Sequence, residues 1–256
     1  MNYDELIEAI ESFAPLDDYV EIDSSGIQLK TGSGEFRRIL VCLEINDDVI
    51  DEAVRENADM IVTHHPMLFY PVKNICDSDV PGRYIIKLIE HGISVYSSHL
   101  PFDFCPTGNN AYLAKLLGLE MDPVAAGIHS ASGSFREPVS LDEACRITEK
   151  ALDLPEGYLR VVDGGKAELK RVGLCTGAGG DMIDEALGNG CDLYVTGDLK
   201  LHEAQYAKAM GISVIDAGHY GTEKIFAENF AAQLREVLGD RADVIEAVSD
   251  TNPYTL

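Results

Sequence analysis

Basic residues are scarce in this sequence. Lys and Arg total 20 against 44 Asp and Glu, a net charge of −24 over 256 residues, with an isoelectric point near 4.4. Such a field repels a phosphate backbone, and no basic run is longer than Arg37-Arg38. Nucleic-acid binding is therefore not expected. No apolar run approaches the ~20 residues that span a bilayer, so no membrane segment is expected either. The opening MNYDELIEAI lacks the basic start of a signal peptide. Six cysteines, at 42, 76, 105, 145, 175 and 191, include no C-x-x-C pair. In a chain of this size they read as thiols of a reducing compartment rather than a disulfide framework, and a cytoplasmic protein is the expectation.

What is present is an ordinary globular balance, 46% hydrophobic and 25% charged, arranged as alternating helices and strands. Leu6, Ile7, Ile10 and Phe13 recur at helical spacing until Pro15. The run 38–45 reads as a buried strand, 47–56 as a helix, 59–63 as a strand ending at His64-His65, 84–90 as a helix, 93–97 as a strand and 109–117 as a helix closed by Gly118. Ser140-Leu-Asp-Glu143 has capping-box spacing and starts a helix to Leu152. Strands are expected over 158–162, 171–175, 193–196 and 213–215, and helices over 182–187, 201–209 and 222–238. This alternation predicts an α/β fold with mainly parallel sheets. We expect two similar lobes, a metal-binding α/β domain over 1–123 with 217–256 and a smaller α/β domain over 124–216 inserted into it.

A repeat supports the two lobes. Residues 48–65, DVIDEAVRENADMIVTHH, align without gaps on 181–198, DMIDEALGNGCDLYVTGD, with eight identities in eighteen. GISV recurs at 92–95 and 211–214, and beyond it His99-x3-Asp103 matches His219-x3-Glu223 with one residue inserted.

The chemistry-bearing residues follow strands. His64-His65 end one strand and Pro66 keeps His65 extended, so the two side chains are expected on opposite sides, each serving a different ion. His99 and Asp103 follow another strand in what Pro101 makes a loop. His219 and Glu223, four apart, follow a third across Ala217-Gly218 at the entrance of the final helix, where the dipole favours anions. Parallel strands place their C-terminal ends on one sheet edge, so His64, His65, Asp103, His219 and Glu223 are expected to converge. Three imidazoles and two carboxylates are the donor inventory of a two-metal hydrolytic site, with Glu223 as bridge. Zn²⁺ is the first expectation, Fe²⁺ or Mn²⁺ the alternatives, and His99 is a candidate general acid/base. The loop Gly177-Ala-Gly179-Gly180 has a weaker phosphate-cradle pattern, for which tight strand–helix packing is the preferred explanation. His91 and His129 have no acidic partner at metal spacing; His202, four residues after Asp198, would face the cavity of a ring assembly, but an exposed helix start is the preferred explanation.

The segments THHPMLFYPVKNI (63–75), SSHLPFDFCPTGNNAYLAKLLGL (97–119), TGDLKLHEAQYAKAMGI (196–212) and DAGHYGTEKIF (216–226), with SSGIQLKTG (24–32), resemble the YbgI/NIF-three family, also catalogued as GTP cyclohydrolase one type two. The resemblance covers nearly the whole chain. It implies a dinuclear centre made of His64, His65, Asp103, His219 and Glu223, two similar α/β domains and a ring-shaped homohexamer. It also implies hydrolysis of a nucleotide or related small molecule. A metal-binding or regulatory scaffold for a protein partner is the alternative. Two departures stand out: Glu44-Ile45-Asn46 where the family often has D-[VI]-T, and Asp198 where it has Glu after Thr-Gly.

Overall fold

The computed structural model describes residues 1–16, 23–32, 34–122 and 131–254. Contacts divide the chain into two units, Met1–Cys105 with Phe226–Leu256, and Pro106–Ile225.

Unit 1 begins with α1 (Tyr3–Glu11), capped by Asn2 and Glu5, whose side chains each accept the other's backbone N–H. There follow β1 (Gly26–Leu29), β2 (Arg38–Cys42), α2 (Asp47–Arg55), β3 (Met60–Thr63), α3 (Val80–His91), β4 (Ser94–Ser97) and the single-turn α4 (Leu100–Asp103). Unit 2 contains α5 (Asn109–Leu116), β5 (Glu120–Met121), β6 (Ala131–Val139), α6 (Leu141–Ala151), β7 (Arg160–Val162), β8 (Leu169–Ala178), α7 (Ile183–Gly188), β9 (Leu193–Gly197), α8 (Leu201–Met210), β10 (Ser213–Asp216) and α9 (His219–Glu223). The chain then returns to unit 1 through α10 (Phe226–Leu238) and β11 (Asp243–Glu246).

The sheet of unit 1 runs β1-β4-β3-β2-β11, parallel except for β1. The strands β2, β3 and β4 are nearly all buried, which is why β2 and β3 read as apolar runs rather than as alternation. The sheet of unit 2 runs β5-β6-β8-β9-β10-β7, with parallel pairing at its β8-β9-β10 centre. The fold is thus α/β with mainly parallel sheets at the heart of each unit.

The repeat is a repeat of bonds as well as letters. In unit 1 the Asp59 carboxylate accepts the N–H groups of Arg37 and Arg38, and in unit 2 Asp192 accepts those of Lys170 and Arg171. Asn57 and Gly190, at matched positions, both sit at positive φ, +53° and +71°. Asn and Gly are the residues that tolerate that conformation.

Three expectations change. Residues 106–122 and 217–225, grouped by sequence with the first domain, pack in unit 2. Leu113, Ala114, Leu117, Ala217 and Ile225 share one core with Phe135, Leu169, Val172 and Leu193. The expected helix 222–238 is two helices, α9 and α10, separated at Lys224 and Ile225. Within α9 the Thr222 hydroxyl donates back to the Gly218 and His219 carbonyls, a competitor for helical bonding. At Ser140 only half of the capping box forms: its oxygen accepts the Glu143 N–H, while the Glu143 carboxylate pairs with Arg146. Strands β1, β5, β6 and β11 had no clear sequence signal, since β6 (ASGSFREPV) carries Gly, Ser and Pro in place of β-formers.

Candidate metal centre

Strand β3 ends at Thr63, and the chain bends there instead of continuing extended. The N–H groups of both His64 and His65 donate to the single carbonyl of Leu43, at 3.2 and 3.0 Å, and the Thr63 hydroxyl donates to the His65 carbonyl at 2.7 Å. The bend corrects the expectation of opposite-facing side chains: the two imidazole centroids lie 5.1 Å apart. His99 precedes α4 and Asp103 ends it, with the Asp103 N–H on the His99 carbonyl at 3.0 Å. Pro101 sits in the first turn, where a missing N–H costs nothing, so a helical turn replaces the expected loop. Ligand nitrogens of His64, His65 and His99 lie within 4.8 Å of one another. The Asp103 Oδ1 is 3.5 Å from His64 Nε2. Behind them the buried Phe226 ring packs 4.9 Å from the His64 ring and contacts Phe102 and Phe230, a rigid apolar floor.

His219 and Glu223 belong to unit 2. Gly218, at φ +75°, turns the chain from β10 into α9, and one helical turn sets His219 Nε2 at 3.0 Å from Glu223 Oε2. The strand before them lies in the six-stranded sheet. The single sheet edge expected from sequence is therefore corrected: His64 and His65, after β3, and Asp103, in α4 after β4, follow strands of one sheet, whereas His219 and Glu223 follow a strand of the other. Opposite this pair, the Gly177 Cα is so close to the Glu223 carboxylate that a side chain there would overlap it. The N–H groups of Gly177 and Gly179 are committed to the Thr222 and Thr196 hydroxyls. This glycine loop serves close packing.

Sequence reasoning missed the groups that orient these imidazoles. His64 Nδ1 meets the Ser98 carbonyl at 3.0 Å, His65 Nδ1 meets Glu44 at 3.2 Å, His99 Nδ1 meets Asp23 at 2.9 Å and His219 Nδ1 meets Asp198 at 2.9 Å. A carbonyl or ionised carboxylate only accepts, so in each case Nδ1 carries the hydrogen and Nε2 of the neutral ring is a lone pair. Carboxylate–histidine arrangements of this kind are the ones that present imidazole to a metal. His64 Nε2 against Asp103, and His219 Nε2 against Glu223, then oppose two acceptors, an arrangement that a cation between them satisfies. The donor set thus fits a divalent ion. The two sequence departures, Glu44 and Asp198, turn out to be these orienting acids. Burial alone raises the Asp23 carboxyl, but hydrogen bonds from His99 and Ser25 outweigh it and hold it at about 2.

The remaining histidines stay outside the cluster. His91, in the last turn of α3, bonds the Lys87 carbonyl at 2.8 Å, and His202 is exposed near the start of α8. His129 lies outside the described residues. Among the described residues the six cysteines form no disulfide. Burial pushes Cys42 and Cys145 up and takes Cys191 to about 11, so these thiols are protonated and poor nucleophiles. No helix among the described residues is long and apolar enough to cross a membrane.

The family model Duf34/NIF3 (NGG1p interacting factor 3) matches residues 1–253. The chain is 32% identical to the GTP cyclohydrolase 1 type 2 homolog of Streptococcus pneumoniae, covering 98% of this chain and 97% of the relative. It is 33% identical to the GTP cyclohydrolase 1 type 2 of Helicobacter pylori over 87% of each. Among solved structures, the ybgI protein superposes with a TM-score of 0.86 at 28% identity, covering 99% of this chain and all of that one. A Bacillus cereus protein related to NIF3 gives 0.90 at 21% identity, covering all of this chain and 99% of that one, a likeness of fold. This protein belongs to the Duf34/NIF3 family.

Proposed function

We propose that the protein is a divalent-metal-dependent hydrolase acting on a nucleotide or related phosphorylated small molecule, the kind of reaction named for its GTP cyclohydrolase 1 type 2 relatives. In this reading His64, His65, Asp103, His219 and Glu223 hold two ions per chain, zinc first among the candidates. The observation that carries it is the common orientation of four imidazoles, each with Nδ1–H donated to a fixed acceptor and Nε2 left as the donor atom. When bound, the ions supply Lewis acidity and activate a water. The chain's own residues do the rest. Asp103 and Glu223, both buried, bring the negative charge that balances the cations. His99 Nε2 takes the proton from the attacking water and returns it to the leaving group, while Asp23 keeps the ring in the required tautomer and stabilises its charged form. The Phe226 and Phe102 floor excludes water from one side of His64.

The test is turnover of GTP and a panel of nucleotides and phosphoesters by the zinc-loaded protein, with His99→Asn as comparison. Expected are turnover by the wild type, and a loss of about 10²–10⁴-fold in the variant at unchanged metal content, the usual worth of acid–base catalysis. A metal-loaded protein that turns over none of the panel refutes the hydrolase and favours the scaffold. A ring-shaped homohexamer and a cytoplasmic setting are part of the same proposal, the first checked by sedimentation velocity.

A further inference from the structure

The residues after His65 form an irregular segment whose aromatic side chains are not buried. Phe69 is 52% exposed and Tyr70 78% exposed, between Pro66 and Pro71. Leaving the Phe69 ring in water forgoes burial worth roughly 1.5–3 kcal/mol. Here the segment is held out. The Leu68 N–H donates to the Gln28 side-chain carbonyl at 3.1 Å, and Gln28 itself is fixed by its own amide to the Ser24 carbonyl at 2.6 Å. The Ser25 hydroxyl accepts the His99 N–H, so one short segment, 23–28, positions both His99 and the aromatic pair.

Ring geometry connects that pair to the histidine cluster. From the buried His64 ring, centroid distances run 5.0 Å to His99, 6.4 Å from His99 to Phe69 and 5.2 Å from Phe69 to Tyr70, with interplanar angles of 64°, 77° and 75°. Four rings therefore lead from the interior of unit 1 to solvent. The segment MLFYPVKNIC (67–76) holds one lysine and no acid, in a chain with 44 acids. An anionic ligand meets less repulsion there than over most of this surface.

We infer that Phe69 and Tyr70 are a stacking platform that seats the planar heteroaromatic ring of the substrate, a purine or comparable base, beside His99. The inference rests on the proposed hydrolase reading and assigns its substrate class through specific residues. A flat ring gains dispersion and quadrupole contacts on exposed aromatic faces irrespective of its hydrogen-bonding edge, so the platform selects for an aromatic ring and not for a sugar or phosphate.

The chain has no tryptophan, so Phe69→Trp places a single indole reporter on the platform. Its fluorescence is expected to be quenched saturably by guanosine and by GTP, and not by ribose 5-phosphate or inorganic triphosphate. Calorimetry of GTP binding to wild-type and Tyr70→Ala protein, both zinc-loaded, is expected to show about tenfold weaker binding by the variant, the loss of one stacking contact. Zinc content should be equal in the two. Equal affinity of wild type and Tyr70→Ala overturns the platform, as does binding of triphosphate as tight as that of GTP. A Tyr70→Ala protein of smaller sedimentation coefficient also overturns it, by showing that a second copy of this chain covers the rings. Stacking with no turnover would leave the platform standing and remove the hydrolase; turnover with no effect of Tyr70→Ala would do the reverse.

Discussion

Asp198 accepts the Nδ1–H of His219 at 2.9 Å from a backbone φ of +51°, a left-handed conformation uncommon outside glycine, Asn and Asp. In the internal repeat it stands where the first copy has His65. One copy thus carries at this position a histidine of the proposed metal site, and the other the acid that accepts from His219. Asp198→Asn keeps a residue that tolerates the left-handed backbone and removes only the charge. Zinc affinity, measured by competition with a chromogenic chelator, should fall about 10–100-fold with the melting temperature unchanged.

Gly177→Ala should damage the site from the opposite wall. An alanine at φ +69° is strained, and its methyl group would overlap the Glu223 carboxylate. The backbone strain costs roughly 1–2 kcal/mol, a few degrees of melting temperature for a chain of this size. Metal affinity should fall by more than tenfold, because Glu223 must turn away from His219. Calorimetry and zinc content read the two effects separately.

Elemental analysis of protein purified without chelator should approach two divalent ions per chain. Glu223→Ala should lower both occupancies and His91→Ala, on the exposed end of α3, neither. A value near zero after careful reconstitution would remove the five-donor centre.

Acid should release the metal before it unfolds the chain. Histidine binds metal only when neutral, and free imidazole titrates near pH 6.5, so protons compete as pH falls. Bound metal moves that competition lower, and loss is expected to begin between about pH 6 and 5, taking hydrolytic activity with it. Circular dichroism should stay native across that range, since the parallel strands and their apolar cores are independent of the ions. Full occupancy at pH 4 would exclude the histidines as ligands.

Asp192 gives a separate pH signature. Burial alone raises its carboxyl, but the hydrogen bonds from Lys166 and from the N–H groups of Arg171 and Lys170 prevail and hold it below the ordinary value of 3.8. A carboxyl lowered in the folded state stabilises fully above its unfolded pKa and loses that contribution as pH falls through the folded one. The melting temperature of Asp192→Asn should therefore lie below wild type at pH 7, and the gap should narrow below about pH 4.

The sequence alone was enough for the α/β alternation, the repeat and the candidate donors, because each depends on neighbours within a few residues. Strands buried on both faces are rich in apolar residues, and a His-x3-acid pair is one helical turn. Four features needed the tertiary structure. The bend after Thr63 that puts His64 beside His65 is set by the Leu43 carbonyl, 21 residues upstream of His64. Asp23 reaches His99 across 76 residues, and Glu44 and Asp198 reach His65 and His219 across 21 each. The assignment of β10 to the second sheet follows from its pairing with β9 and β7. The outward hold on Phe69 and Tyr70 depends on Gln28, forty residues from Leu68. Periodicity reports which face of an element is buried. Which acceptor waits at the end of a side chain is decided by strands that meet only when the sheet assembles.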